Sequence, residues 1–327
     1  MVKALIAHKA GGELQIGEWE KPVPKGNEIL VKNKVVALNP VDWKQVREGF
    51  GSLGFVLIKY NFAVPQWPFV VGADTAGVVE AVGPDVKNLK PGDKVFAFAG
   101  VGSLNYGTYA EYSLLVENLS AKEASTIGLG TLTSAVAFYH LLKLPRPREH
   151  QSFFRPEYLL IWGGSSSTGN YAIQLAKLSG YTVITTASPH QHAYLQELGA
   201  DVVIDRSDPE AVTKIREITR GRLRYAYDTI SSATADLAAQ ALDQEHESHL
   251  AVIAGAPTGS YPKVKEANSF GVSFYEELGE LLAAGVLRPN RYEVLPNGLA
   301  GIPEGHARLA AGKVSGVKLV ARIDETP

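Results

Sequence analysis

Apolar and polar positions follow two rhythms along this chain. Over the first ~120 residues short β-rich runs alternate with turn residues. Leu5 to Ala7, Leu14 to Trp19 and Ile29 to Val36 are such runs, separated by Gly11-Gly12 and by Pro22, Pro24 and Gly26. Thr75 to Val82 ends at Gly83-Pro84. Val95 to Ala99 follows the turn Pro91-Gly92-Asp93, and Thr108 to Val116 reads as a further strand. Short strands with regular breakers predict a small, curled, mostly antiparallel domain.

Helix signals begin near residue 120. Ser120 and Glu123 have capping-box spacing, an apolar segment runs from Thr131 to Leu142, and Lys143 to Pro156 reads as an exposed loop. From Tyr158 strands and helices alternate. Tyr158 to Trp162, Thr182 to Ala187, Val202 to Ile204, Tyr225 to Ile230 and Leu250 to Ala254 read as strands. Asn170 to Ser179, His192 to Leu198, a helix opened by Asp208-Pro209, and Thr234 to Leu242 read as helices. This alternation implies an α/β unit with a parallel sheet covered on both faces. Gly255 to Phe274 is rich in Gly, Pro and Lys and gives no clear strand pair. Tyr275 to Ala284, Tyr292 to Leu295, a helix ending near Gly312 and Lys318 to Ile323 return to a mixed pattern. The reading is two domains, residues 1–121 with 273–327 and residues 122–272.

Composition narrows the function classes. The 327 residues are 45% hydrophobic and 20% charged, an ordinary globular balance. A formal net charge of -2 gives no basic surplus for nucleic acid or an anionic membrane. The absence of cysteine removes disulfides, thiol catalysis and cysteine-based zinc sites. The opening run Val2 to Ala7 is too short for a signal peptide, and no stretch approaches the ~20 apolar residues of a membrane span. A soluble, cytoplasmic protein is the expectation.

The strongest local signal is Gly163-Gly164-Ser165-Ser166-Ser167-Thr168-Gly169, between the strand ending at Trp162 and a helix. A dinucleotide's diphosphate needs a tight turn, close backbone approach and a helix N-terminus, and small residues permit all three. The run is not a strict dinucleotide fingerprint, because Ser166 stands where glycine is usual. It also lacks the Gly-Lys-Ser/Thr ending of a triphosphate loop. An NAD enzyme usually carries a carboxylate at the end of the second strand, ~20 residues on. Here that strand ends Thr185-Thr186-Ala187-Ser188-Pro189-His190. Ser188, His190, His192 and Arg206 are the candidates for a 2′-phosphate, which favours NADPH over NADH. Capping of the next helix by Ser188 is the competing reading.

The whole chain resembles the medium-chain dehydrogenase/reductase superfamily, and most of all its zinc-free quinone oxidoreductase and enoyl reductase branch. The motifs are Asn39-Pro40-Val41-Asp42-Trp43-Lys44, Gly72-Ala73-Asp74-Thr75-Ala76-Gly77, Pro91-Gly92-Asp93-Lys94-Val95, Gly107-Thr108-Tyr109-Ala110-Glu111-Tyr112 and Gly312 to Val320. The stretches Ile161 to Ser167 and Ala187 to His190 resemble fungal members, including enoyl reductases that act in trans with polyketide synthases. The resemblance implies a GroES-like, mostly antiparallel β-barrel catalytic domain built from both chain ends. A Rossmann, doubly wound parallel-sheet domain sits between them, and cofactor and substrate lie in the intervening cleft. It also implies NADPH contacts from Thr131, Thr133, Gly255, Gly316 and Lys318. Relatives that hold catalytic zinc use a cysteine and a Gly-His-Glu motif. Here Gly72-Ala73-Asp74 stands in that place, so no metal ligand set is expected.

The expected chemistry is hydride addition to the β-carbon of an α,β-unsaturated carbonyl compound. The enolate oxygen would be met by hydrogen-bond donors, and a proton would be delivered at the α-carbon. Asn39, Asp42 and Lys44 are candidates for a polar wall, with Lys44 the stabilising or protonating group. Tyr60 is a second proton-donor candidate in the apolar stretch Phe50 to Trp67, and Tyr106 and Phe270 could line the cleft. Candidate substrates are a small hydrophobic enone, an enoyl thioester, which a polyketide synthase carrier domain could present, or a quinone. The alternatives are a quinone oxidoreductase and a non-catalytic NADPH-binding protein. Monomer and homodimer both remain open.

Overall fold

The computed structural model describes residues 1–48, 67–99, 107–117, 120–122, 128–147, 157–268 and 287–327. Two compact units emerge, residues 1–129 with 275–327 and residues 130–274. Along the chain the first unit holds β1 (Val2–Ala7), β2 (Leu14–Trp19), β3 (Glu28–Ala37), α1 (Pro40–Glu48), β4 (Phe69–Val70), β5 (Asp74–Val82), β6 (Lys94–Phe98), β7 (Tyr112–Val116) and β8 (Ser120–Lys122). A helix, α2 (Gly128–Ala135), carries the chain from the first unit into the second and continues there into a π-helical turn over Val136–Leu141.

The second unit follows with β9 (Tyr158–Trp162), α3 (Ser167–Leu178), β10 (Thr182–Ala187), α4 (His192–Glu197), β11 (Val202–Asp205), α5 (Ala211–Thr219), β12 (Tyr225–Asp228), α6 (Ser232–Ala241), β13 (Ser248–Val252) and β14 (Val264–Asn268). The chain returns to the first unit with β15 (Tyr292–Leu295), α7 (Ile302–Ala310) and β16 (Lys318–Arg322).

In the first unit, the order β15-β16-β3-β5-β6-β8 forms one sheet among the described residues, with β7 also on β3. Its pairs are antiparallel except β15 with β16. β2-β1-β4 forms a second, antiparallel sheet. Asn33 stitches the middle of β3 to its surroundings. Its amide nitrogen donates to Thr108 O (3.2 Å), Ala110 O (2.8 Å) and Ser113 Oγ (2.7 Å), and its oxygen accepts from Thr75 Oγ1 (2.8 Å). This buried side chain holds the segment that carries Tyr109.

The second unit is a parallel sheet in the order β11-β10-β9-β12-β13-β14. Counted within the unit this is strand order 3-2-1-4-5-6, the doubly wound dinucleotide-binding arrangement. β9 has four buried residues in a row, as a strand covered on both faces must. The order reverses between β9 and β12, so the crevice that favours ligands opens beside Trp162 and Asp228, which are in register.

Several sequence expectations change. Ser120 lies in β8 rather than at a helix N-cap, and Glu123 is outside the described residues. Only Tyr112–Val116 of the Thr108 to Val116 run is a strand, because Ala110 bridges to Ala4 on the other sheet. Asp208-Pro209 does not open its helix. Asp208 Oδ1 accepts Glu210 N (2.9 Å), closing a turn before α5 starts at Ala211. β14 appears where no strand was expected, pairing in parallel with β13. The helix expected over Tyr275 to Ala284 and much of the loop from Lys143 to Pro156 lie outside the described residues. No described helix is long and apolar enough to cross a membrane.

Replacing Asn33 by alanine should remove four buried hydrogen bonds and leave Ala110 O without its donor, while Thr108 O keeps the Ala110 N–H and the Thr75 hydroxyl keeps Val35 O. Urea unfolding should show a loss of roughly 2–4 kcal/mol. A loss below about 0.5 kcal/mol would mean that water takes over these bonds.

Candidate functional site

The first unit gathers a buried polar cluster. Asn39 precedes α1, and its side-chain amide donates to Asp74 Oδ2 (2.9 Å). Lys318, the first residue of β16, donates to the same Asp74 oxygen (3.2 Å) and to Asn39 Oδ1. The other Asp74 oxygen accepts Leu129 N (2.8 Å) at the start of α2. A side chain at Gly128 would collide with this carboxylate, so only glycine admits the approach. Asn39, Asp74 and Lys318 are each at most 5% exposed, and a charge held that deeply needs its partner.

A second layer lies behind Asn39. Asp42 Oδ2 accepts the Asn39 backbone N–H (2.7 Å), the reach-back bond of a helix start, and the Tyr109 hydroxyl (2.7 Å). Tyr109 oxygen lies 3.2 Å from Nε2 of His306 on α7. With the tyrosine proton on Asp42, that contact requires the Nε2–H tautomer of His306. Burial pushes the Asp42 carboxyl up to about 7, against the opposing pull of the Tyr109 and Asn39 bonds. Burial alone pushes His306 down to about 4. Tyr109 is raised well above its usual range by burial and by the neighbouring Asp42.

Lys44 does not join this cluster. Residues two apart on a helix point to nearly opposite sides. Asp42, Gln45 and Val46 are buried, whereas Lys44 is partly exposed with its Nζ 5.7 Å from the Trp43 ring centroid. Lys44 forms no ion pair among the described residues. The structure brings Asn39 and Asp42 together and leaves Lys44 apart from them. Tyr60 and most of the Phe50 to Trp67 stretch, with Tyr106 and Phe270, lie outside the described residues.

In the second unit the small-residue turn closes β9 onto α3. Gly163 has φ 88°, and a Cβ there would meet Thr229 Oγ1 at 2.7 Å and Ile230 closer still. A Cβ on Gly164 would strike Thr185 Oγ1, and one on Gly169 would lie 2.8 Å from Gly164 Cα. Ser166 caps α3, accepting Gly169 N (2.8 Å) on its hydroxyl. Gly163 N donates to Thr186 Oγ1 (3.0 Å), and Asn170 Nδ2 donates to Gly164 O (2.7 Å). Ser165, Ser167 and Thr168 are half-buried. In the same unit Ser134 Oγ donates to Thr168 O (2.9 Å), tying α2 to α3. The Thr131 hydroxyl on α2 is buried with no hydrogen-bond partner among the described residues, and Thr133 is half-buried.

The sequence matches the alcohol dehydrogenase GroES-like domain over residues 25–138 and the zinc-binding dehydrogenase family over residues 168–274. Trans-enoyl reductase ACTTS2 of Alternaria alternata is 33% identical, covering 98% of this chain and 99% of its own. Trans-enoyl reductase TOXD of Cochliobolus carbonum is 38% identical over 70% of this chain and 75% of its own. The crystal structure of CurK enoyl reductase superposes with a TM-score of 0.81 at 18% identity, covering 98% of this chain and 99% of that one, a likeness of fold. The chain belongs to the medium-chain dehydrogenase/reductase superfamily, in the branch of the fungal trans-enoyl reductases. It is an oxidoreductase.

A nicotinamide dinucleotide is the cofactor class of this superfamily, and the oxidoreductase has the residues to hold one. The three glycines form a cradle that a Cβ would fill, and Thr131 offers an orphaned hydroxyl. At the end of β10, Ser188 makes no capping bond, while His190 and Arg206 are exposed. His192 is turned onto Ala187 O (3.2 Å) instead. Gly255 has φ 139° and approaches Ser232 Oγ, and Gly316 (φ 70°) precedes β16.

Zinc, which the second family's name carries, does not fit. The chain has no cysteine, and the Asp74 carboxylate is already claimed by the Lys318 ammonium, Asn39 and Leu129.

Sequence reasoning missed several residues that build these sites. Asp74 was noticed only as part of a motif lacking histidine, and its partner lies 244 residues away. His306 carried no local signal. Thr186 and Thr229 looked like ordinary β-branched strand-end residues. Asp205 is a carboxylate on β11, beside β10 and in register with Ala187. The backbone and hydroxyl of Ser207 bind it and hold it below the usual carboxylate range.

Asp42 and His306 make opposite contributions to stability against pH. Between pH 3.8 and about 7 the folded chain holds the Asp42 proton more tightly than the unfolded chain, so stability falls as pH rises. Between about 4 and 6.5 the unfolded chain holds the His306 proton more tightly, so stability rises. Asp42→Asn removes the falling arm. Its unfolding free energy, relative to the parent, should climb between pH 4.5 and 6.5 by up to about 1.4 kcal/mol per pH unit. A difference independent of pH, measured by urea unfolding, would place the Asp42 proton elsewhere.

Proposed function

We propose that this chain is an NADPH-dependent, zinc-independent enoyl reductase that reduces an α,β-unsaturated thioester during polyketide assembly, with a synthase carrier domain presenting the substrate. The observation that carries the reading is the likeness to trans-enoyl reductases across 98% of the chain. The closed fit of the turn from Gly163 to Gly169 supports it.

When bound, the reduced nicotinamide supplies a hydride to the β-carbon. The chain's own residues then have two tasks, to steady the charge on the carbonyl oxygen and to return a proton to the α-carbon. Lys44 suits both, since its ammonium lies on the less buried side of α1 and is not ion-paired among the described residues. Asn39 and Asp42 act by holding the start of α1. Lys318 keeps one N–H beyond its bonds to Asn39 and Asp74, the one it can offer to cofactor or substrate. Tyr60 stays a second proton-donor candidate.

Ser188, His190 and Arg206 would take the 2′-phosphate. Asp205 opposes them, which makes the preference for NADPH a balance of charges rather than a simple vacancy. Thr131, Thr133, Gly255 and Gly316 complete the proposed cofactor contacts.

Absorbance decay at the NADPH band, with enoyl thioesters, enals and quinones as acceptors, tests the reading. Enoyl thioesters should give the highest kcat/KM, NADPH should be preferred over NADH, and chelators should have no effect. Lys44→Ala should lower kcat by about 10²-fold with little change in the KM for NADPH. Preference for quinones, preference for NADH, or activity that depends on added zinc would each sink the corresponding part.

A further inference from the structure

Ser166 stands at the one position of the turn where a dinucleotide fingerprint would have glycine. The residue is half-buried, and its hydroxyl has two neighbours. It accepts Gly169 N–H (2.8 Å), and it lies 2.9 Å from Thr229 Oγ1. Thr229 follows β12 at the point where the strand order reverses, and it is buried. Its single hydroxyl proton has three possible acceptors, Trp162 O (2.9 Å), Gly163 O (3.1 Å) and Ser166 Oγ.

Two proton arrangements follow. In one, Thr229 donates to a backbone carbonyl and Ser166 donates to Thr229, so both protons are used inside the turn. In the other, Thr229 donates to Ser166, whose two lone pairs are then filled by Gly169 N–H and Thr229 O–H. The Ser166 proton is now released from the turn, and the hydroxyl can only donate. A phosphate oxygen, which accepts strongly and donates nothing, selects the second arrangement.

We propose that Thr229 is a positioning residue for the cofactor's diphosphate, acting through Ser166: it hands Ser166 a hydrogen bond and so frees the serine proton for a phosphate oxygen. The proposal rests on the reading that a nicotinamide dinucleotide occupies the turn. Serine in place of glycine thereby adds an O–H donor to the backbone amides, and it requires a hydroxyl at position 229.

The test measures affinities of the full chain. NADPH is followed by fluorescence, and ADP-ribose and adenosine 2′-monophosphate are followed by competition. ADP-ribose keeps the diphosphate, whereas adenosine 2′-monophosphate lacks it. Thr229→Val should weaken NADPH and ADP-ribose by about five- to tenfold and leave adenosine 2′-monophosphate unchanged. Thr229→Ser should bind as the parent does. Ser166→Ala should weaken the same two ligands, and the double variant should bind about as weakly as Ser166→Ala alone. Equal weakening of all three ligands would mean that the turn itself is disturbed and would overturn the proposal. So would parental affinity in Thr229→Val, or losses that multiply in the double variant. A parent chain that binds neither NADPH nor NADH is a different result, since it removes the dinucleotide reading as well.

Discussion

A carboxylate and an ammonium taken out of water each cost several kcal/mol unless they meet each other and fill their remaining hydrogen bonds. The first unit buries such a pair, Asp74 and Lys318, and completes it with Asn39 and the Leu129 amide. The partners come from β5, β16, the residue before α1 and the start of α2. Lys318 and Asn39 are 279 residues apart in sequence. No part of the cluster is tolerable without the others, so it sets where these four segments converge. It also accounts for Gly128, whose missing side chain is the space that the carboxylate fills.

Asp42, Tyr109 and His306 extend the same logic without a formal charge pair. A carboxyl raised to about 7 and an imidazole lowered to about 4 can both stay neutral in mildly acidic solution. The row Asp42, Tyr109, His306 is then a set of neutral hydrogen bonds that locks α1 against α7 through one tyrosine. Helical periodicity does the rest. With Asp42, Gln45 and Val46 turned inward, the motif from Asn39 to Lys44 has an inner end that builds, and Lys44 is left on the less buried side.

The α/β alternation was plain in the sequence because strands covered on both faces must be apolar runs, as Leu159 to Trp162 is. β14 was not, because its residues include the exposed Lys265, and a strand at the end of the sheet among the described residues tolerates charge. α3 begins at Ser167, three residues before the expected start, because serine and threonine next to glycines read locally as loop while Ser166 caps the helix. Ser120 failed in the opposite sense, since capping-box spacing is also compatible with a strand. The turn from Gly163 to Gly169 was legible because its spacing is local. The Asp74 cluster was not, because no local pattern announces a partner 244 residues away.

The two sites solve the problem of buried polarity differently. In the first unit the charges close on one another, and such a cluster resists change because altering Asp74 or Lys318 strands the other's charge. In the second unit the turn is held mainly by neutral groups, the hydroxyls of Ser166, Thr186 and Thr229 and the amide of Asn170. A hydroxyl can donate in one direction and accept from two, so a chain of hydroxyls can exchange one bonding pattern for another without leaving a group unsatisfied. A turn built from glycine alone has only its fixed amides to offer. Where a ligand must arrive and leave repeatedly, exchangeable bonds lower the cost of each arrival. That makes a serine in place of a glycine an addition to the turn rather than a defect in it.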